Sequence, residues 1–358
     1  MMTERPYDRW LLFITAVLVV FGTIMIYSST SVITPLLAKR NITPFFYFKR
    51  HLFTVLMGML FMFLAFRAGT ENLKKMAIPL LVFSFVLLIL VFVPKIGIAA
   101  GGAKRWIRLW PSTFQPSELV KLAMVIFLAR YMSLPGYKTD SISSFLIPIG
   151  IMGLFQVVFL KQPDFGAAMS LCLLTIGMLA VSGIRLRYIM MLGVLAIPVS
   201  IKLIMEPYRL KRVLAFLDPW KDSQGSGFQL VQSFIALGSG GITGIGLGES
   251  KQKLSFLPES HTDFIFSLVG EEIGFIGALL VVILFFILFL RGISIANRIR
   301  DPFGYYVASG LSMMIALQAL INFSVTTGLV PTKGLPLPFI SYGGSSLLMN
   351  MVAIGILL

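Results

Sequence analysis

The sequence has few of the residues that build disulfides, zinc sites and nucleophilic active sites. Its 358 residues include one cysteine, Cys172, and two histidines, His51 and His261. One cysteine excludes an intramolecular disulfide, and two histidines are too few for a histidine-based zinc site. The sequence also has no catalytic arrangement built on a serine or cysteine nucleophile. Chemistry in this chain must therefore rely on carboxylates and cations.

Charged residues are scarce as well. They make up 13% of the chain, against 57% hydrophobic residues, and a soluble domain carries about 25% charged residues. Long apolar runs recur along the whole sequence, which indicates a polytopic membrane protein. Lipid requires every backbone polar group to be satisfied internally, by helices or by a closed barrel. Because the runs are continuous rather than alternating, helices are favoured over a barrel.

We predict an all-α polytopic membrane protein with about ten transmembrane helices, forming a single domain over 1–358. The first run lacks a small-residue cleavage site, so it is predicted to be a spanning helix and not a signal peptide. The chain stops inside its last apolar run, and we expect a short tail beyond it. The predicted spans are 10–27, 50–66, 76–94, 116–134, 144–161, 165–183, 187–206, 262–290, 304–326 and 340–358.

Four polar loops follow spans three, five, seven and nine. Successive members of this set are separated by two crossings, so all four are predicted to lie on one face, the motif face. The loops are 101–118 (GGAKRWIRLWPSTFQPSE), 161–166 (KQPDFG), the long loop 207–261, and 328–346 (GLVPTKGLPLPFISYGGSS).

The distribution of cations does not settle which way the motif face points. The formal net charge is +15, and most lysines and arginines lie on or just beneath the motif face. The positive-inside rule would put that face in the cytoplasm. If the face is external, a polyanionic ligand such as a pyrophosphate would account for the cations. Binding to anionic lipid headgroups is the alternative.

Charges inside spans mark a cavity or a partner, because burial in lipid is costly. Glu118 and Lys121 follow Pro116 at a helix start and share a helix face, which is typical of a local pair. Asp164 lies between two spans, where it can be a turn or cap residue. Lys121 and Asp164 have opposite signs at similar expected depth, so we also predict an ion pair between these helices.

The long loop contains two patterns. Residues 226–237 (SGFQLVQSFIAL) place Phe228, Val231 and Phe234 on one side and Gln229, Gln232 and Ser233 on another, which predicts a helix at the membrane surface. The glycine-rich stretch 238–250 lacks the Gly-Lys-Ser/Thr ending of a phosphate loop, so we interpret it as flexible backbone. Trp106 and Trp110, outside this loop, are predicted interfacial anchors.

Asp263 begins the eighth span, where an aspartate can cap the helix or act as a general base. Both roles are open on the residues alone. Glu271 lies about 12 Å deeper in a helix, so direct cooperation with Asp263 is not expected. We interpret Glu271 and Glu272 as buried structural or relay groups.

These motifs together resemble the SEDS family (shape, elongation, division and sporulation) over essentially the whole chain, and the division branch more than the elongation branch. The resemblance implies ten helices, with both termini cytoplasmic and the motif face outside the cytoplasmic membrane. It also implies polymerisation of lipid II into glycan strands, which would make the protein a peptidoglycan glycosyltransferase of the division septum. The motifs are GGAKRW (101–106), FQPSELVK (114–121), KQPDFG (161–166), 209–250, 253–277 and PTKGLPLPFISYGGSS (331–346).

The resemblance also implies residue roles. Asp263 matches the family's essential aspartate and is the expected catalytic base for the 4-hydroxyl of a GlcNAc acceptor. Lys121 and Asp164 match a buried charged pair that lines the cavity. The remaining expected substrate-binding residues are Arg105, Glu118, His261, Thr262 and Lys333. Cations near the loop entry that could also meet the pyrophosphate are Arg209, Lys211 and Arg212.

The resemblance also implies a substrate and protein partners. Lipid II is the expected substrate, a cognate class B penicillin-binding protein the expected partner, and other divisome membrane proteins further partners. No nucleic-acid binding is expected. No metal-ligand constellation is present, although a divalent cation, Mg²⁺ or Mn²⁺, could bridge the pyrophosphate. The alternative functions are a lipid II flippase and a scaffold without activity.

Overall fold

The computed structural model describes residues 7–30, 45–100, 103–109, 112–252 and 261–358. Within these ranges the chain is mostly helical, with one 3₁₀ turn at Pro219–Asp222. The helices are α1 (Arg9–Thr30), α2 (Phe45–Ala68), α3 (Thr70–Leu90), α4 (Pro116–Met132), α5 (Ile142–Lys161), α6 (Phe165–Val181), α7 (Leu186–Ile204), α8 (Pro207–Leu217), α9 (Phe228–Gly240), α10 (Ile265–Ala296), α11 (Pro302–Thr326) and α12 (Gly344–Leu357). The strands are β1 (Gly97–Ala100), β2 (Ala103–Leu109) and β3 (Ser112–Phe114).

The predicted helical membrane fold is confirmed. A helix covers most of each predicted span, and the ends differ by a few residues. Helices α1, α2, α3, α5, α10 and α11 are each long and apolar enough to cross a membrane. Helices α6 and α12 and the first part of α7 are shorter apolar segments, so the number of ten crossings stays a prediction.

Helix α4 lies at the centre of the bundle. It contacts α3, α6, α11 and α12, and nearly all of its side chains are buried. Pro116 occupies its first turn, as predicted, where the missing N–H leaves no hydrogen bond unmade. Because α4 carries Glu118 and Lys121, its position brings two charged side chains into the protein interior.

A small antiparallel sheet, in the order β1-β2-β3, precedes α4 and was not predicted. Ala103 and Ile107 on β2 are buried, whereas Lys104 and Arg108 are exposed. This alternation is the signature of a strand with one face packed on the protein. It extends over too few residues to stand out in a loop between long apolar runs.

Helix α10 is broken at Gly274, whose φ of 76° lies in the left-handed region that favours glycine. A break inside a membrane helix frees backbone groups that need new partners. The glycine-rich segment provides them. The bonds run from Ile245 N–H to Glu271 O (3.0 Å), Gly246 N–H to Glu272 O (3.0 Å), Phe275 N–H to Gly241 O (2.9 Å) and Ile276 N–H to Ile242 O (3.2 Å).

Glycine is needed on both sides of this junction. A Cβ on Gly244 would overlap the backbone of α10, and a Cβ on Gly274 would overlap the backbone of Gly244. The interpretation of 238–250 as flexible backbone is therefore wrong for its first half, which is anchored to α10. The close approach of two backbones is the physical reason for the glycines.

The structure confirms the helix predicted over 226–237 as α9, but its faces differ from the prediction, and its position at the membrane surface stays a prediction. Helix α9 packs against α10. Ser233, expected on the polar side, is fully buried, and its Oγ donates to the carbonyl of Thr326 at 2.7 Å. Ser233 Oγ also lies 2.6 Å from Ser267 Oγ. A small hydroxyl that finds partners on neighbouring helices can be buried among apolar side chains.

Candidate functional site

The loops of the motif face meet at one end of the bundle, as the parity of the spans predicts. Hydrogen bonds connect all four of them. Arg105 donates to Pro163 O (2.5 Å), the Gln115 amide to Asp164 Oδ2 (3.3 Å), Gln115 N–H to Ser345 Oγ (2.8 Å) and Tyr342 N–H to His261 O (2.8 Å). The first two bonds join β2 and the residue after β3 to the α5–α6 turn. The third joins that residue to α12, and the fourth joins the α11–α12 loop to the end of the long loop.

Asp263 lies in a turn just outside α10. The helix begins at Ile265 and its N-cap residue is Phe264, so of the two roles left open for Asp263, the N-cap position is occupied by its neighbour. A Cβ built on Gly334 would lie 2.5 Å from Asp263 Oδ2. The carboxylate therefore packs directly against the backbone of Gly334, next to Lys333, and no side chain separates them.

The backbone of the Asp263 turn is held by a group of three donors, which we call the carbonyl clamp. The carbonyls of His261, Thr262 and Asp263 are the acceptors. The donors are the Tyr342 backbone N–H (2.8 Å), Ser341 Oγ (2.5 Å) and Asn322 Nδ2 (2.8 Å). The clamp fixes three consecutive carbonyls from α11 and the loop that follows it.

Sequence reasoning missed all three residues of the clamp. One signal was available, because Asn322 is a carboxamide inside the ninth apolar run. Polar side chains inside a membrane span are costly and usually have a partner. Ser341 and Tyr342 gave no comparable signal, since serine and tyrosine are common near membrane interfaces.

Lys333 provides a cation beside the Asp263 turn. Its Nζ lies 3.2 Å from Met169 Sδ on α6. Burial in the loop lowers the pKa of Lys333 from its usual value. A partly desolvated ammonium group has much to gain from an anionic ligand, because a ligand's charge replaces lost hydration.

We call the end of the bundle where the four loops meet the rim. A buried row of polar side chains lies beneath it. Lys121 Nζ is 2.9 Å from Glu118 Oε1 and donates to Gln318 Oε1 at 2.6 Å. Gln318 Nε2 in turn donates to the Pro336 carbonyl and to Ser346 Oγ. The row joins α4, α11 and the loop that contains Lys333. All of these charged and amide groups are buried.

The predicted ion pair between Lys121 and Asp164 is wrong. Lys121 pairs with Glu118, which is three residues away on the same helix face. Asp164 is the N-cap of α6, where its Oδ1 accepts from the Ala167 N–H at 3.1 Å. The local pair and the cap that sequence reasoning kept as alternatives are therefore confirmed, and the two side chains serve separate structures.

His261 lies in a cluster of aromatic rings at the same rim. Its ring centroid is 5.4 Å from that of Tyr47 and 5.7 Å from that of Tyr342. Tyr47 and Tyr342 are 5.5 Å apart and nearly perpendicular. Sequence reasoning singled out His261 as a substrate residue and missed the two tyrosines, which come from distant parts of the chain.

Both deeper carboxylates are buried and hydrogen-bonded. Glu271 accepts from Ser250 Oγ and from the Lys251 N–H. Glu272 accepts from Ser28 Oγ, which lies 2.6 and 2.7 Å from its two carboxylate oxygens. These contacts fit the structural role that sequence reasoning gave to the pair. Residues 253–260, Trp110 and the Arg209 side chain lie outside the described residues.

Among the described residues, no three His, Cys, Asp or Glu side chains are grouped so that they could hold a metal ion. The carboxylates of the site are instead dispersed. Glu118 pairs with Lys121, Asp164 caps a helix, and Asp263 faces Gly334.

Comparison with known proteins agrees with this geometry. The family model for the FtsW/RodA/SpoVE group, described as "Cell cycle protein", matches residues 9–358. A probable peptidoglycan glycosyltransferase FtsW from Geobacter sp. (strain M18) is 44% identical, over 98% of this chain and 96% of that one. Stage V sporulation protein E of Bacillus subtilis is 40% identical, over 98% of this chain and 96% of that one.

Two solved structures have the same fold. A chain of a peptidoglycan synthase complex that coordinates polymerization and crosslinking superposes with a TM-score of 0.80 at 28% identity. The match covers 98% of this chain and 96% of that one. Rod shape determining protein RodA of Thermus thermophilus superposes with a TM-score of 0.71 at 26% identity, over 98% of this chain and 95% of that one.

Proposed function

The chain belongs to the FtsW/RodA/SpoVE family of cell cycle proteins, and from this membership together with the site we infer that it is a peptidoglycan glycosyltransferase. Relatives that carry this activity in their names match it over almost their full length. A role in cell division fits the description of the family as cell cycle proteins and the FtsW names of these relatives. The SEDS resemblance of the motifs is thereby confirmed.

We propose that the substrate is lipid II and that the reaction occurs at the outer face of the cytoplasmic membrane, with both termini in the cytoplasm. The donor leaves as undecaprenyl pyrophosphate, an anion that needs cations at the rim. Arg105 and Lys333 lie at this rim, with Lys121 beneath it. Lys211 and Arg212 on α8 extend the positive surface along the long loop. The apolar lipid tail explains why the site lies between membrane helices.

The proposed chemistry assigns one role to Asp263. Its carboxylate accepts the proton of the acceptor's GlcNAc 4-hydroxyl while the oxygen forms a bond to the anomeric carbon of the donor. The anomeric carbon–oxygen bond to the pyrophosphate breaks on the opposite side, with inversion. The carrying observation is the packing of Asp263 against Gly334, beside Lys333. The proposed base thus lies against the residue that follows Lys333, the proposed cation for the leaving group.

Mg²⁺ or Mn²⁺ could bind to the pyrophosphate of the substrate and neutralise part of its charge. The described residues offer no group of three ligands for such an ion. We assign no step to it, and the charge of the leaving group is given to Arg105 and Lys333.

The test compares the wild type with Asp263→Asn, a nearly isosteric change. Both proteins are purified in detergent and given labelled lipid II, and glycan products are separated by length. We expect polymer from the wild type and none from the variant, with equal thermal stability. Detergent abolishes vectorial transport, so a flippase or a scaffold would give no polymer from either protein. Undiminished polymerisation by the variant would exclude Asp263 as the base.

We further propose that a class B penicillin-binding protein, and with it other divisome membrane proteins, assembles with this chain. The matching complex that coordinates polymerization and crosslinking supports a partner of this kind. The partner is expected to stabilise the active arrangement of the long loop, and a tenfold shift needs only about 1.4 kcal/mol of differential contact. Initial polymerisation rates with and without the partner, at saturating lipid II, test this. Equal rates with binding confirmed would exclude activation.

A further inference from the structure

Asn322 on α11 joins two separate segments of the site through the amide of its side chain. Its Nδ2 donates to the carbonyl of Asp263 at 2.8 Å and to the carbonyl of Leu335 at 2.8 Å. The side chain is 1% exposed. Both N–H bonds of the amide are therefore used, one for the turn that holds Asp263 and one for the turn that holds Lys333.

These two turns are backbone segments outside helices, so their positions depend on the partners that their carbonyls find. In sequence, Asn322 is 59 residues from Asp263 and 13 from Leu335. It stands on α11, a buried helix of the bundle. A helix of the bundle thus determines how far apart the two turns lie.

The spacing matters because the Asp263 carboxylate packs against Gly334 without a side chain between them. A displacement of either turn would change the distance from the base to the cation at Lys333. Catalysis is sensitive to such changes, since a misplacement of about 1 Å can lower the rate on the order of 100-fold.

We propose that Asn322 is a positioning residue that sets the separation of Asp263 and Lys333 for glycosyl transfer. This inference rests on the proposed function. Asn322 does not touch substrate in this arrangement, because its side chain is buried and both of its N–H bonds are taken by backbone carbonyls. Its loss should therefore reduce turnover much more than substrate affinity.

Two variants separate the donor function from the space that the side chain fills. Asn322→Leu is close in volume and has no donor. Asn322→Asp has the same shape, and its carboxyl group donates one hydrogen bond when protonated and none when ionised. The turnover of Asn322→Asp relative to wild type should therefore fall as the pH rises, whereas the relative turnover of Asn322→Leu should not depend on pH.

Asn350 on α12 provides matched controls. It is also 1% exposed, and both described bonds of its amide go to Ser346 of the same helix, at 2.8 and 3.1 Å. Asn350→Leu and Asn350→Asp make the same chemical changes at equal burial without releasing the two turns. Because Ser346 also accepts from Gln318 of the polar row, some loss of turnover is allowed, but both variants are expected to lose much less than their Asn322 counterparts.

The experiment measures kcat and KM for lipid II polymerisation in detergent, after thermal unfolding has shown which variants are folded. For Asn322→Leu we expect kcat to fall by at least about tenfold, with KM changed less than about threefold. If that variant does not fold, the pH profile of Asn322→Asp decides. Wild-type kcat in folded Asn322→Leu, or equal losses in the Asn350 variants, would overturn the proposal.

Asp263→Asn in the same series keeps the two proposals apart. An inactive Asp263→Asn beside a fully active Asn322→Leu would leave the base assignment in place and exclude positioning by Asn322. An active Asp263→Asn would overturn the base assignment, and the inference about Asn322 with it.

Discussion

Ser250 is tied to Glu271, which lies 21 residues further along the chain: Ser250 Oγ donates to Glu271 Oε2 at 2.5 Å. The following backbone N–H, that of Lys251, donates to Oε1 of the same carboxylate at 3.1 Å. Glu271 lies in the outer part of α10, before the break at Gly274. The long loop is therefore fastened to the helix that follows the Asp263 turn, and a buried carboxylate makes the connection.

Glu271→Gln should loosen this connection. A glutamine can accept one of the two hydrogen bonds with its oxygen, but its NH₂ group cannot accept the other. Hydrogen bonds to a charged group contribute about 1.5–3 kcal/mol each, so the exposed Lys251 should become accessible to trypsin sooner. Timed proteolysis with mass spectrometry measures cleavage after Lys251. Glu272→Gln is the control, since its described hydrogen-bond partner Ser28 lies on α1. Equal cleavage rates in both variants would contradict the role given to Glu271.

Gly274→Ala should destabilise the protein by at least about 2 kcal/mol, because the residue has positive φ and an added Cβ meets the backbone of Gly244. The measurement is thermal unfolding in detergent. Gly238→Ala on α9 is the control, since its Cβ would meet nothing within 4 Å. That variant should be unchanged or more stable by up to about 1 kcal/mol. Equal unfolding temperatures for the two variants would show that the backbones at Gly244 and Gly274 can move apart without loss of stability.

Removing one charge of the Lys121–Glu118 pair should cost more than removing both. Lys121→Met leaves a buried carboxylate without its cation, a loss of about 3–5 kcal/mol for a buried pair. Adding Glu118→Gln should recover part of that stability, with a coupling energy of at least about 1 kcal/mol. Adding Asp164→Asn in place of Glu118→Gln should recover less, because Asp164 caps α6. Unfolding in detergent of the wild type, the three single variants and the two double variants measures both couplings. Recovery of stability by Asp164→Asn and not by Glu118→Gln would restore the rejected pair.

The pH dependence of the polymerisation rate should show whether the ammonium group of Lys333 attracts the pyrophosphate. Burial lowers its pKa, so the ammonium group loses its proton at a lower pH than an exposed lysine would. As the pH rises through that lowered pKa, attraction for the pyrophosphate is lost. Lys333→Arg keeps its charge throughout. Rates at subsaturating lipid II should fall at alkaline pH for the wild type and less for Lys333→Arg. Parallel profiles would remove Lys333 from the substrate site.

The same lowered pKa should make the protein more stable, not less, as the pH rises. Below the lowered pKa both folded and unfolded chains carry the proton, and the folded state bears the cost of a buried charge. Above it the unfolded state binds more protons, so the free energy of unfolding rises with pH up to the ordinary pKa of lysine. Activity and stability are thus expected to diverge in the alkaline range.

Much of the fold could be predicted from the sequence because a membrane imposes one strong rule on apolar runs. The helices, the shared motif face and the cap at Asp164 follow from run length, parity and local residue preference. The sequence did not decide which acid pairs with Lys121, since Glu118 and Asp164 lay at similar predicted depth. Local separation along α4 favoured Glu118.

The carbonyl clamp illustrates the limit of such reasoning. Its acceptors are backbone carbonyls, which leave no trace in residue identity. Asn322 alone gave a signal, and the sequence could not tell which of many carbonyls it would reach. The junction of Gly244 with Gly274 is similar, because glycine permits both flexibility and close backbone approach. The structure shows that close approach applies here.

The clamp also bears on how this rim can change over evolutionary time. Its acceptors at positions 261–263 are groups that every amino acid possesses, so the hold on the turn does not depend on which side chains stand at 261 and 262. The clamp itself therefore places no requirement on those two side chains, and the ring of His261 is constrained instead by its contacts with Tyr47 and Tyr342. The position of the base is thus maintained by Asn322, Ser341 and the backbone at Tyr342, and not by the identity of the two residues that precede the base.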